Sequence, residues 1–241
     1  MTHVNFVVDC SGSMGATASS IKYNGKTFNI ARWEVMRYSV SIMLDSMVDG
    51  GDGTDTFSII EFENNSTSKA NANTIVNNMK VPEKRFLTHE PFERVMHDLS
   101  EYMLDKAPQG LSHPIFLPRG GTNIAEALKV TEAQTPANTP TLTLLFTDMW
   151  DRDGSYIYNA LMASCGKNSC LNALTLNGPI IVVVICDRSS LNMCEKGCKA
   201  LEERVNQHFG KYVTGKSFAC IAETLDAKDG IDFYGGLKHL L

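Results

Sequence analysis

The stretch Val4-Asn5-Phe6-Val7-Val8-Asp9-Cys10-Ser11-Gly12-Ser13-Met14-Gly15 decides how the chain is read. Its first six residues are a short, mostly apolar run ending in a carboxylate, which predicts a strand. The glycine and serine residues behind it predict a turn, and a polar loop follows to Asn29. Further on, Thr141 to Thr147 is an apolar strand closed by Asp148, a second strand of the same design. Between the two, Ile30, Trp33, Val35, Met36, Val40, Met43, Leu44 and Met47 recur near helical spacing, so Ile30 to Val48 predicts a long amphipathic helix. It ends at Asp49-Gly50-Gly51-Asp52-Gly53, an emphatic breaker. Thr56 to Phe62 is rich in strand formers, and Ala72 to Val76 reads as a weaker hairpin partner at a sheet edge.

Helices are expected at Phe92–Leu104, Ile124–Thr131, Ser155–Cys165, Leu191–Phe209 and Ile231–Leu241. Further strands are expected at Pro179–Cys186 and Phe218–Ile221. Strands that alternate with helices, and are apolar on both sides in the middle of the chain, predict an α/β fold. Its sheet is mostly parallel and covered by helices on both faces. No linker or internal repeat divides residues 1–241, so a single domain is expected.

Composition narrows the function classes. In 241 residues, 22 Lys and Arg stand against 27 Asp and Glu, a net charge of −5. That balance gives no broad attraction to phosphate backbones, so nucleic acid is not an expected partner. No apolar run approaches the roughly 20 residues that cross a bilayer. The N-terminal segment does not read as a signal peptide, so a cytoplasmic location is expected, with a trimmed extracellular domain as the alternative. Seven cysteines cannot all pair within one chain, and reduced thiols are the expected state.

In an open parallel sheet, ligands bind beyond the carboxyl ends of the strands, where the winding direction reverses. Asp9 and Asp148 each stand at such an end. Ser11 and Ser13 lie on the turn after the first strand, and Thr122 follows the paired Gly120 and Gly121. If the two strands are neighbours, two carboxylates and three hydroxyls converge. An all-oxygen shell suits Mg²⁺, Mn²⁺ or Ca²⁺ and is wrong for zinc or copper.

Three segments carry a family resemblance: Phe6-Val7-Val8-Asp9-Cys10-Ser11-Gly12-Ser13-Met14-Gly15, Gly120-Gly121-Thr122-Asn123 and Leu144-Leu145-Phe146-Thr147-Asp148. Together they resemble a von Willebrand factor type A domain with its metal-ion-dependent adhesion site. The resemblance implies a Rossmann-like, doubly wound, mostly parallel sheet with an antiparallel edge strand. It implies a magnesium site in which Ser11, Ser13 and Thr122 are hydroxyl ligands, while Asp9 and Asp148 act partly through bound water. It also implies a non-enzymatic protein-binding module whose metal keeps one position open for an Asp or Glu of a partner. Whether such a module stands alone or works beside an ATPase is left open. Cys10 occupies the variable position of the first motif, and a soft thiol is not expected to ligate a hard ion. Lys80–Pro118 is longer than the family's minimal connection.

One bond to a partner carboxylate cannot confer specificity, so side chains near the metal must do so. Tyr23, Phe116, Arg119, Trp150 and Arg152 lie on loops expected at that end of the sheet, and they are the candidate contact residues. Gly210-Lys211-Tyr212-Val213-Thr214-Gly215-Lys216-Ser217 fits the Walker A pattern. A working phosphate loop needs a strand before it and a helix after it, whereas here the expected order is reversed. A nucleotide- or phosphate-binding enzyme built on this segment is the alternative function, and a structural domain whose metal binds no partner is a third. Cys165 with Cys170, and Cys194 with Cys198, fall at opposite ends of a buried strand, too far apart for a shared zinc site. A local disulfide in either pair stays open.

Overall fold

The computed structural model describes residues 2–23, 26–50, 54–63, 72–81, 117–148, 155, 157–159, 178–187, 189–209 and 213–219. In chain order it contains β1 (His3–Asp9), a short 3-10 turn (Gly12–Gly15), β2 (Thr17–Tyr23), β3 (Lys26–Ala31) and α1 (Arg32–Gly50). These are followed by β4 (Thr56–Phe62), β5 (Ala72–Lys80), α2 (Ile124–Gln134), β6 (Thr141–Thr147), β7 (Ile180–Cys186), α3 (Leu191–Phe209) and β8 (Val213–Ala219).

Six strands form one sheet in the order β5-β4-β1-β6-β7-β8. All neighbours run parallel except β4 and β5, which are antiparallel at the edge. This is the Rossmann-like architecture expected from the sequence. Every residue of β1, β4, β6 and β7 is buried, as strands apolar on both sides require.

Side-chain alternation along the strands divides the interior into two cores. Val4, Phe6 and Val8 of β1 join Leu142, Leu144 and Phe146 of β6 beneath Val35, Met36, Val40 and Leu44 of α1. Val7, Leu145, Val182 and Val184 instead meet Ile124, Ala127 and Leu128 of α2 and Cys194, Cys198, Leu201 and Val205 of α3. Helix α2 starts cleanly because the Asn123 side chain accepts a hydrogen bond from the Glu126 amide at 3.1 Å, an N-cap. At the amino end of β1, buried His3 sits among Thr56, Asn5 and Ser58 at 2.8, 3.0 and 3.2 Å.

The chain leaves β1 toward β4 and β5, then returns to fill β6, β7 and β8 on the other side. The winding direction therefore reverses between β1 and β6, and the carboxyl ends of those two strands flank the switch point.

Two expectations are corrected. The predicted polar loop before Asn29 is a two-stranded antiparallel sheet, with Ser20 opposite Asn29 and Tyr23 opposite Lys26. Its strand residues are largely polar, so they carry no apolar pattern. The Asn24-Gly25 pair between them is nevertheless a strong hairpin signal. The last described strand is Val213–Ala219 rather than Phe218–Ile221, because β7 aligns Ile180 to Cys186 against all seven of its residues. Residues 155 and 157–159 are helical. The rest of the Ser155–Cys165 helix, and the helices expected at Phe92–Leu104 and Ile231–Leu241, lie outside the described residues.

Candidate metal centre

Strand β1 pairs directly with β6, so Asp9 and Asp148 meet at one end of the sheet. Asp9 is fully buried. Its Oδ1 accepts the Ser11 amide at 2.8 Å and its Oδ2 accepts the Thr147 hydroxyl at 2.6 Å. These bonds hold the carboxylate still and fold the chain into the turn that presents both serines. Burial pushes the Asp9 carboxyl up to about 6, against hydrogen bonding by the Thr147 hydroxyl and by the hydroxyl and amide of Ser11, and with a smaller push from the charge of Asp148.

The hydroxyls continue the chain of oxygens. Ser11 Oγ lies 3.0 Å from Ser13 Oγ, which donates to Asp148 Oδ1 at 3.0 Å. Ser11 is buried while Ser13 is exposed, so the cluster opens to solvent on the Ser13 side. Thr122 reaches the same end of the sheet on a loop stitched to the serine turn. The Gly12 amide donates to the Gly120 carbonyl at 2.9 Å, and the Arg119 amide to the Cys10 carbonyl at 2.6 Å. Gly120 takes a φ of 64°, a left-handed conformation that favours glycine.

The donor set fits a hard dication. It is made of oxygens alone, two hydroxyls and a carboxylate joined by hydrogen bonds of 3.0 Å with a second carboxylate behind them, the ligand chemistry that Mg²⁺, Mn²⁺ and Ca²⁺ take. Cys10 contributes nothing to such a shell: it is buried, and burial above all pushes its thiol pKa well up. Among the described residues no three His, Cys, Asp or Glu side chains gather to hold a metal. A site here therefore depends on the hydroxyls.

Two arginines shape this end of the sheet, and only one was a sequence candidate. Arg119 Nη2 contacts Glu61 Oε2 at 2.6 Å, and its Nε lies 3.0 Å from Glu63 Oε2, an ionic approach too poorly aligned to be a hydrogen bond. Burial alone would lower the pKa of this guanidinium, but the Glu61 carboxylate beside it holds the value above its ordinary level. Arg119, a candidate contact residue, makes an internal ion pair that latches the Thr122 loop to the end of β4 and leaves 23% of its side chain exposed. The second arginine, Arg32, opens α1 and reaches Asp148 Oδ2 through Nη1 at 2.5 Å. The sequence offered one signal for the first latch, a glutamate inside the apolar run Thr56–Phe62. It offered none for the second.

Of the other candidate contact residues, Tyr23 closes β2, while Phe116, Trp150 and Arg152 lie outside the described residues. The Walker A-like segment does not form a phosphate loop over its described part. Val213 to Ser217 are extended and paired with Ile180 to Val184, which turns their amides to the sheet ladder. Cys194 and Cys198 are buried on α3 and are not joined by a disulfide; Cys165 and Cys170 lie outside the described residues.

No family model and no curated protein matches the sequence. Solved structures do resemble this one. The PilB minor pilin from Streptococcus sanguinis is 16% identical with a TM-score of 0.55, and the match covers 100% of this chain and 62% of that one. The von Willebrand factor type A protein from Catenulispora acidiphila is 11% identical with a TM-score of 0.51, over 96% of this chain and 41% of that one. The pilus adhesin SpaC from Lactobacillus rhamnosus GG is 14% identical with a TM-score of 0.54, over 96% and 30%. The chain thus spans less than two thirds of each of these proteins. At such identities the likeness is one of fold, and the fold is von Willebrand factor type A-like.

Proposed function

We propose that this chain is a non-enzymatic, dication-dependent protein-binding module. Ser11, Ser13 and Thr122 would hold Mg²⁺, or Mn²⁺ or Ca²⁺ in its place, with Asp9 and Asp148 balancing its charge. When bound, the ion supplies an electrophilic centre that takes an Asp or Glu side chain from a partner protein. Two protein carboxylates leave a dication able to attract one more anionic oxygen. The observation that carries this reading is the convergence of Ser11, Ser13 and Asp148 into one hydrogen-bonded oxygen cluster at the switch point of the sheet. The fold neighbours include a pilus adhesin, which agrees with an interaction role.

The residues explain the division of labour. Asp9 is held through both oxygens and organises the turn. Ser13 stands at the open side, where a partner can approach. Tyr23, Phe116, Arg119, Trp150 and Arg152 are proposed as contact residues around it. An enzymatic reading needs a general base close to the ion, and the oxygens of Asp9 and Asp148 are already engaged in hydrogen bonds and an ion pair. Titration with Mn²⁺ by calorimetry, followed by capture of partners in Mg²⁺ and in EDTA, tests the proposal. Binding of one Mn²⁺ and loss of the captured partner in EDTA are expected. A partner retained unchanged in EDTA would move the interface elsewhere.

A further inference from the structure

Arg32 occupies a position that neither the fold nor the serine motif requires. It begins α1 immediately after β3, and its amide donates to the Ala16 carbonyl at 3.0 Å, which closes the base of the β2–β3 hairpin. Its guanidinium is mostly buried, with 18% of the side chain exposed, and it reaches into the oxygen cluster. Nη1 binds Asp148 Oδ2 at 2.5 Å, while Nη2 stands 3.7 Å from Asp187 Oδ2. Among the described residues, its buried Nε finds no hydrogen-bond acceptor.

This is a half-satisfied cation. One donor nitrogen holds Asp148, one makes only a long contact and the third has no acceptor among the described residues, although the fork of a guanidinium is built for two-point capture of a carboxylate. Asp187 follows β7 as Asp148 follows β6. Its carboxylate is fixed by the Ser190 amide at 3.0 Å and the Ser190 hydroxyl at 3.1 Å, yet 32% of its side chain remains exposed. A preorganised second acceptor therefore stands beside the first.

We infer that Arg32 is a tethered counter-cation that competes with the dication for Asp148, and that metal binding transfers its guanidinium to Asp187. The inference rests on the metal reading given above and adds its regulation. In the metal-free protein, Arg32 neutralises a carboxylate that would otherwise face Asp9 across an uncompensated gap. In the metal-bound protein the same carboxylate serves the ion, and Arg32 pairs with Asp187 instead. Arg32 joins α1 to the hairpin, so the exchange couples occupancy of the metal site to the hairpin base. The competition also sets the affinity: the ion must displace a charge-assisted hydrogen bond before it gains Asp148.

The test is calorimetric titration of Mn²⁺ at low salt into wild type, Arg32→Gln, Asp187→Asn and the double variant. Lys80→Gln, at the far end of the edge strand, serves as a control for the loss of one positive charge. Arg32→Gln is expected to bind Mn²⁺ about tenfold more tightly, the scale of one charge-assisted hydrogen bond, while melting at a lower temperature in EDTA. Asp187→Asn is expected to weaken binding several-fold in the wild-type background and to have little effect once Arg32 is gone, the non-additivity of a shared interaction. If Arg32→Gln does not fold, Arg32→Lys keeps the charge but loses the fork, and is expected to bind more tightly by a smaller factor. Unchanged or weaker affinity in the Arg32 variants, or an Asp187→Asn effect of equal size in both backgrounds, would overturn the inference while leaving the metal site standing. Absence of Mn²⁺ binding in every variant, wild type included, would overturn the metal reading itself.

Discussion

Removing Arg119 from the end of β4 separates a latch from a contact residue. The Glu61 side chain is fully buried and its Oε2 lies 2.6 Å from Arg119 Nη2, while 23% of the arginine side chain is exposed. Replacing Arg119 by Met leaves a carboxylate buried without its cation. Breaking a buried pair in this way costs about 3–5 kcal/mol, and the partial exposure of the arginine places the expectation at the lower end, about 3 kcal/mol. For a chain of this size each kcal/mol lowers the melting temperature by roughly 2–4 °C, so a fall of about 6–12 °C is expected in EDTA. Circular dichroism melts measure it directly. Glu61→Gln combined with Arg119→Met removes the fully buried one of the two carboxylates left without the arginine, Glu63 being the other, and should recover part of the loss. Mn²⁺ affinity should fall in Arg119→Met as well, because the latch holds the loop that carries Thr122. A shift below about 2 °C would refute the reasoning, and Arg119 would then be free to serve a partner.

Other outcomes follow from the same geometry. Asp9→Ala and Asp148→Ala should each abolish Mn²⁺ binding in calorimetry while the far-ultraviolet spectrum stays native; an Asp148→Ala protein that binds as tightly as wild type would remove that residue from the site. His3 is buried, and burial lowers its pKa below 6.5 against the raising effect of its Asn5 hydrogen bond. The unfolded chain then takes up a proton that the folded chain resists, so His3 makes stability fall as pH drops from about 6.5 through its lower folded value. His3→Gln should remove that component in urea melts between pH 7.5 and 5. Asp9, raised to about 6, slopes the opposite way, so the wild-type-minus-variant difference is the quantity to read. Gly178→Ala would place a Cβ 1.7 Å from the Thr141 carbonyl oxygen; a rigid backbone clash of this kind should cost about 3 kcal/mol or more, seen as a lower urea midpoint. Lys216→Ala should leave ATP without detectable binding or hydrolysis, as in wild type, because Lys216 is paired within a strand opposite Val183.

The sheet was legible because its strands carry their own evidence. Thr56–Phe62 and Thr141–Thr147 have the bounds read from their strand-forming runs, since burial along the whole strand keeps polar residues few, and the helix Leu191–Phe209 likewise has the bounds read for it. The hairpin at Thr17–Ala31 was not legible by that route. Its strands lie outside the main sheet and are largely polar, so hydrophobic periodicity passes over them and only the Asn24-Gly25 pair marks the turn. Strand β8 shows a different limit. Lys216 and Ser217 make a poor strand by propensity, and it is the parallel edge of β7, seven residues of paired backbone, that draws them in.

For the candidate site, the oxygen donors were legible and their counter-charges were not, and the physical reason is the same in both cases. Asp9, Ser11 and Ser13 act through local geometry. A carboxylate at a strand end accepts the amide two residues later and so shapes the turn that carries the hydroxyls, a relation confined to five residues. Arg32 and Asp148 are 116 positions apart, and Arg119 and Glu61 are 58 apart. Nothing in either neighbourhood specifies the partner, since an arginine at the start of a helix and one in a loop are ordinary surface residues until the sheet order is known. Once β4, β1, β6 and β7 stand side by side, Glu61, Asp9, Asp148 and Asp187 come to one end of the sheet, where their mutual repulsion demands cations. Arg119 supplies one at β4 and Arg32 another between β6 and β7. Asp9, at the switch point itself, is left with the Ser11 amide and the Thr147 hydroxyl as neighbours, and the cluster opens to water at Ser13, the arrangement in which a mobile dication would do what a third fixed arginine would prevent.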